Sequence, residues 1–118
     1  AGTTTKFSFG DDDSGLGDYA WHSENSDQKT HPVGSKLPNA WGLYGMHGHV
    51  WEWCQDVHWY YPSGSVTDPS GAASGSYRVR RGGSWNNPAR YCRAAVRLGY
   101  TPENRNASLG FRPARSMP

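Results

Sequence analysis

Cys54 and Cys92 are the residues of this chain best suited to redox or metal chemistry. A thiolate attacks electrophiles, binds soft metals or pairs with a second sulfur, and each use makes its own demand. A disulfide needs the two Cα atoms within about 7 Å. A metal site needs further ligands, which His47 or His49 would supply at an unusual pair of spacings. Two buried, reduced thiols need neither, and they are the expectation. Carboxylates offer a second chemistry. Asp11, Asp13 and Gly15 superficially match a calcium loop, but the spacing and the closing glutamate of an EF-hand are absent. The stretch RGGSWNNPARYCRAAVRLGYTPENRNASLGFR, residues 81–112, offers a third. Trp85, Tyr91 and Tyr100 supply rigid amphipathic rings, while Asn86, Asn87 and Ser108 supply adaptable hydrogen bonds. That mixture suits recognition, because aromatic rings give contact area at low entropic cost. In the competing reading Val96 and Leu98 belong to the core and Tyr91 caps it. Asn106-Ala107-Ser108 has the form of a glycosylation sequon, which arises often by chance.

Short elements must position these groups. HVWEWC, residues 49–54, alternates Val50, Glu52 and Cys54 on one face with Trp51 and Trp53 on the other, as a strand does. YRVRRGGSW, residues 77–85, reads as extended up to Gly82-Gly83, a pair that suits a bulge or a close backbone approach. YCRAAVRL, residues 91–98, fits a strand or one helical turn, and Gly110 and Phe111 open a last short strand. GDDDSGLGD (10–18), the polar stretch 22–40, DPSGAASGS (68–76) and TPENRNASL (101–109) read as loops, without the 3.6-residue period of a helix.

Composition bounds the rest. At 118 residues the chain is at most one domain, residues 1–118, with roughly 6,300 Å² of accessible surface expected when folded. Fifteen glycines, eight prolines and a mean hydropathy of −0.84 lean toward disorder, but six tryptophans and seven tyrosines argue for a loop-rich, ordered fold on aromatic anchors. No run approaches the about 20 apolar residues of a membrane span, and no targeting signal fixes a location, so a surface-exposed or extracellular one stays open. Residues 1–77 carry three lysines against nine acids, and residues 78–118 carry nine arginines against Glu103. The arginines are spread among small and apolar residues. They are therefore expected to act as internal forks for carboxylates and carbonyls, and nucleic acid is not an expected partner.

GLYGMHGHVWEW (42–53), DPSGAASGSYRVRRGGSW (68–85), CRAAVR and NASLGFR, in this order, resemble the formylglycine-generating-enzyme, or sulfatase-modifying-factor, domain. The resemblance implies an α+β, C-type lectin-like fold, loop-rich with short antiparallel strands, and an N-terminal part with a helix that this chain lacks. The family's oxidases hold copper between two cysteines, at the positions of Asn87 and Cys92. With an amide in place of one soft ligand, copper is not expected, and Cys92 is catalytic only if the oxidase alternative holds. The resemblance also implies calcium, held by a side-chain oxygen where Gly45 stands, the carbonyls of Gly48 and Val50, and the Glu52 carboxylate. Gly45 brings no side chain and His49 stands where asparagine is usual, so that site loses support here.

A subset of the family, the variable proteins of diversity-generating retroelements, displays a hypervariable patch near the C-terminus. Its variable positions derive from the asparagine codon AAC by randomised adenines. Pro88, Tyr91, Val96, Leu98, Tyr100, Ala107 and Ser108 are each reachable from AAC in that way, whereas Gly99 and Glu103 are not explained by it. Together these features lead to the expectation of a non-catalytic module that binds a protein or small-molecule ligand through Trp85, Asn86, Asn87, Pro88, Tyr91, Val96, Leu98, Tyr100, Ala107 and Ser108. The alternative is a copper-dependent oxidase, another enzyme of the family, or a fragment of one.

Overall fold

The computed structural model describes residues 1–60, 63–65 and 74–117. Of the loop expected at 68–76, residues 68–73 lie outside them. Four strands form one sheet in the order β3-β2-β1-β4, with β1 at Trp51–Val57, β2 at Arg78–Arg81, β3 at Arg97–Tyr100 and β4 at Leu109–Gly110. β1–β2 and β2–β3 are antiparallel. β4 runs parallel to β1, pairing Leu109 with Trp51, so the expectation of antiparallel strands holds for three of the four.

β1 starts as the alternation of HVWEWC demands, but the register between Trp53 and Val57 shifts against β2. The extra residues of such a bulge bend the strand. Trp51 and Val57 are buried while Gln55, of the same parity, is exposed. The Gly82-Gly83 pair ends β2 at φ 101° and 75°, a region where only glycine sits without strain. YCRAAVRL resolves into both of its alternatives, a 3-10 turn at Ala89–Cys92 and then β3.

The acidic segment 10–18 is not a plain loop. Asp12 caps a 3-10 turn at Asp13–Gly15, its carboxylate accepting from Ser14 N at 2.9 Å, and α1 follows at Leu16–Tyr19. That hydrogen bond is also the main cause of the lowered Asp12 pKa. Four helical residues are too few to reveal a period in sequence. Leu16 anchors the turn in a core cluster with Phe7, Ala20 and Cys92, against which Phe9 and Ala89 pack.

Among the tryptophans Trp51 is buried at 2% exposure, whereas Trp41 and Trp59 are more than half exposed. The aromatic anchors are therefore chiefly Phe7 and Phe9, stacked at 5.1 Å, with Tyr19 on Phe9 at 4.5 Å. The chain exposes 8267 Å², well above the roughly 6,300 Å² of area scaling. No helix among the described residues is long and apolar enough to cross a membrane.

Candidate functional site

Cys92 ends the 3-10 turn and is fully buried. A Cβ on Gly83 would stand 2.7 Å from its Sγ, so the glycine turn and the sulfur are fitted to one another. Its carbonyl accepts from Nδ1 of His47 at 2.7 Å, while Nε2 of His47 accepts from Ser8 N at 3.1 Å, which fixes the neutral Nδ1–H tautomer. Burial pushes the Cys92 thiol up to about 12 and holds the His47 pKa below its ordinary value. A thiol so held is a poor nucleophile and a poor ligand.

Half-buried Asn87 sits among hydrogen bonds. Ser84 Oγ lies 2.6 Å from Oδ1 of both Asn87 and Asn86, and its single proton serves one of them at a time. Asn87 O accepts from Ser23 N at 3.0 Å. Neither Asn87 nor Cys92 fits copper: one is an amide satisfied by a serine, the other a buried, protonated thiol. Cys54 lies on β1, half-buried and not buried as expected. It is a free thiol, as is Cys92. Burial is also the largest cause raising the Cys54 pKa.

The residues expected to bind ligand divide into two groups. Trp85 Nε1 donates to Ala107 O at 3.1 Å, and Trp51 N donates to Ser108 O at 2.8 Å, which brings 85, 107 and 108 to the β4 end of the sheet. Tyr91, Val96 and Leu98 line one groove with Arg90, Arg93 and Arg97. All three are half-buried, so neither the core reading nor full exposure describes them. Leu98 links the groove to Tyr100, because alternate residues of β3 share a face. Tyr100 there stacks on Trp53 at 6.2 Å between centroids. The Arg80 guanidinium lies 4.2 Å from the Tyr100 ring centre and 4.8 Å from that of Trp51. Burial is the largest cause lowering its pKa.

Sequence reasoning missed Trp53, Arg80, Ser84, Arg90 and Arg93. Arg90 and Arg93 neighbour Tyr91 in the chain and could have been found. Trp53 and Arg80 join only through the β1–β2–β3 register, Trp53 opposite Arg80 and Arg80 opposite Leu98. Gly99, unexplained by codon arithmetic, has a steric cause: a Cβ there would stand 2.7 Å from the His58 ring. The arginines expected to fork carboxylates and carbonyls act chiefly on carbonyls. Arg78 donates to Gln55 O, Arg81 to Ala94 O, Arg93 to Arg90 O and Arg97 to Trp59 O, while Arg112 grips the Glu52 carboxylate.

The residues that the family resemblance assigns to calcium are placed as follows. Gly48 is a glycine of necessity, since at φ 68° a Cβ would stand 2.3 Å from Trp21 O. His49 also has a positive φ, 68°, which explains why asparagine, tolerant of that region, is usual there. Val50 packs on Gly110, and both Glu52 oxygens are taken by Arg112. These residues do not fit calcium. His49, Val50 and Glu52 border a cleft of ≈ 590 Å³ that also involves Trp21, Tyr44 and Phe111.

Comparisons with known proteins agree with this architecture. The sulfatase-modifying factor enzyme 1-like domain matches residues 3–117, and the chain belongs to that family. Its fold is correspondingly the loop-rich, α+β, C-type lectin-like one. Treponema denticola variable protein 1 superimposes with a TM-score of 0.88 at 44% identity, over 93% of this chain and 40% of that one. PvdO from Pseudomonas aeruginosa gives 0.71 at 34% identity, over 80% of this chain and 38% of its own. The formylglycine-generating enzyme of Streptomyces coelicolor is 41% identical over 99 residues, 78% of this chain and 31% of its own length. The chain thus spans less than half the length of these relatives.

Proposed function

We propose that this chain is a non-catalytic binding module that presents residues 85–108 to a protein or small-molecule ligand. The observation that carries the reading is the state of the two residues at the family's copper positions: Asn87 is an amide satisfied by Ser84, and Cys92 is a protonated, enclosed thiol. A fold by itself fixes no function, so the argument rests on this site and on the half-exposed rings beside it. Likeness to a variable protein supports a further step: positions 88, 91, 96, 98, 100, 107 and 108 are sites of retroelement-driven variation. A reverse transcriptase gene with a near-identical template repeat beside this gene is the expected genomic context.

The test uses a random peptide library panned on the wild-type chain. Binders should lose about tenfold or more in affinity for the Tyr91→Ala/Tyr100→Ala double variant, measured at a temperature where circular dichroism shows it folded. Binding that survives the double change places the surface elsewhere. In parallel, incubation with copper and a sulfatase-motif cysteine peptide should leave the substrate thiol intact. Turnover that disappears in Cys92→Ser would establish the oxidase alternative instead.

A further inference from the structure

We infer that the guanidinium of Arg112 is a resident organic cation on the one carboxylate that the family resemblance assigns to calcium, so that the 44–52 segment keeps its shape without metal. Arg112 lies just beyond β4, sixty residues from Glu52. Its Nε donates to Glu52 Oε2 at 2.9 Å and its Nη2 to Oε1 at 2.8 Å, the two-pronged grip that arginine makes on carboxylates. The same Nη2 lies 2.7 Å from Tyr44 O and 3.2 Å from Gly45 O. One group thereby gathers two carboxylate oxygens and two main-chain carbonyls from both ends of the segment. Oxygen donors of these kinds are what calcium collects.

The guanidinium also packs beside position 45. Gly45 has φ 63°, and a Cβ there would stand in ordinary contact with Arg112 Nη2 at 3.6 Å, so Gly45 leaves its carbonyl, not a side-chain oxygen, as the donor at this position. Glu52 is the one carboxylate among the described residues lining this cleft, which also holds Lys36 and Arg112. No group of three or more His, Cys, Asp or Glu poised for a metal occurs among the described residues. A calcium ion would have to expel a cation from the single anion at hand, with about six to eight oxygens still to find. The Glu52 contact is also the first cause raising the Arg112 pKa, so the guanidinium stays charged across the working range.

The 118-residue chain, stripped of metal with EDTA, is titrated with CaCl₂ by calorimetry and with TbCl₃ by tryptophan-sensitised luminescence. Expected are no saturable binding up to about 1 mM and the same unfolding midpoint in EDTA and in CaCl₂. Saturable calcium binding below that concentration, with a midpoint raised by calcium, overturns the assignment. Arg112→Gln should unfold at a lower midpoint and bind calcium at least about tenfold more tightly than wild type, because its carboxylate and carbonyls are released. Arg112→Lys, keeping the charge without the fork, should exclude calcium while losing part of the midpoint. Equal calcium affinity in wild type and Arg112→Gln would show that the guanidinium is not what excludes the metal. Should the glutamine variant not fold, the wild-type titration decides alone.

Discussion

Cys92 should be nearly inert to alkylation while the domain is folded. Its thiol is raised from 9.0 to about 12 by burial, so below pH 9 its thiolate population is about a thousandfold smaller than that of an ordinary cysteine. A second route runs through the opened chain, where the thiol is ordinary. If opening costs about 5 kcal/mol, about one molecule in several thousand is reactive at any moment. By either path, labelling should be about a thousandfold slower in the native domain than in denaturant. Iodoacetamide at pH 8, quenched over time and read by peptide mass spectrometry, measures both cysteines at once. Cys54, half-buried on β1, serves as the internal comparison. A native labelling rate for Cys92 within about tenfold of the denatured rate would refute the enclosure and reopen metal ligation at that sulfur.

The same proton has a consequence in alkali. The folded state holds it to about pH 12 and the unfolded state to about 9, so its contribution is complete below pH 9 and is lost as pH climbs through that window; Cys92→Ala should flatten the decline in unfolding midpoint. His47 acts at the other end. Its folded pKa is depressed, so stability is complete above about pH 6.5 and falls as acid forces a proton onto the Nε2 that accepts from Ser8; His47→Asn should flatten the midpoint between pH 7 and 4. Gly99→Ala should cost about 1–3 kcal/mol in urea unfolding, and His58→Ala in the same chain should recover much of it. Ser84→Ala, which removes the donor to Asn86 and Asn87, should cost about 1–2 kcal/mol by the same assay.

What could be read from the sequence was whatever depended on near neighbours. HVWEWC declared a strand, and Gly82-Gly83 declared a close approach. Distant partnerships could not be read. β4 is two residues long and pairs in parallel with a strand more than fifty residues earlier. The Arg112–Glu52 pair spans sixty residues, and the Trp53–Tyr100–Arg80 stack exists only once three strands find register. Burial misled in a different way. Tryptophan is large enough to be anchored at one edge and wet at the other, so a count of tryptophans overstates the core, and fully enclosed Phe7, Leu16 and Cys92 carry it. The layout of the candidate surface was hidden for a related reason: residues 85–108 are contiguous in sequence, but the sheet separates Trp85, Ala107 and Ser108 from Tyr91, Val96 and Leu98.

The bonds that shape this surface have one property in common. Trp85 reaches the carbonyl of Ala107, Trp51 N reaches that of Ser108, Tyr91 N reaches that of Pro88, and Arg81 reaches those of Ala94 and Val96. At 88, 96, 107 and 108 it is the peptide group that accepts, and at 91 it is the peptide group that donates. A substitution at these positions exchanges a side chain and leaves these main-chain ties in place, which is the property that the proposed binding role requires of its scaffold.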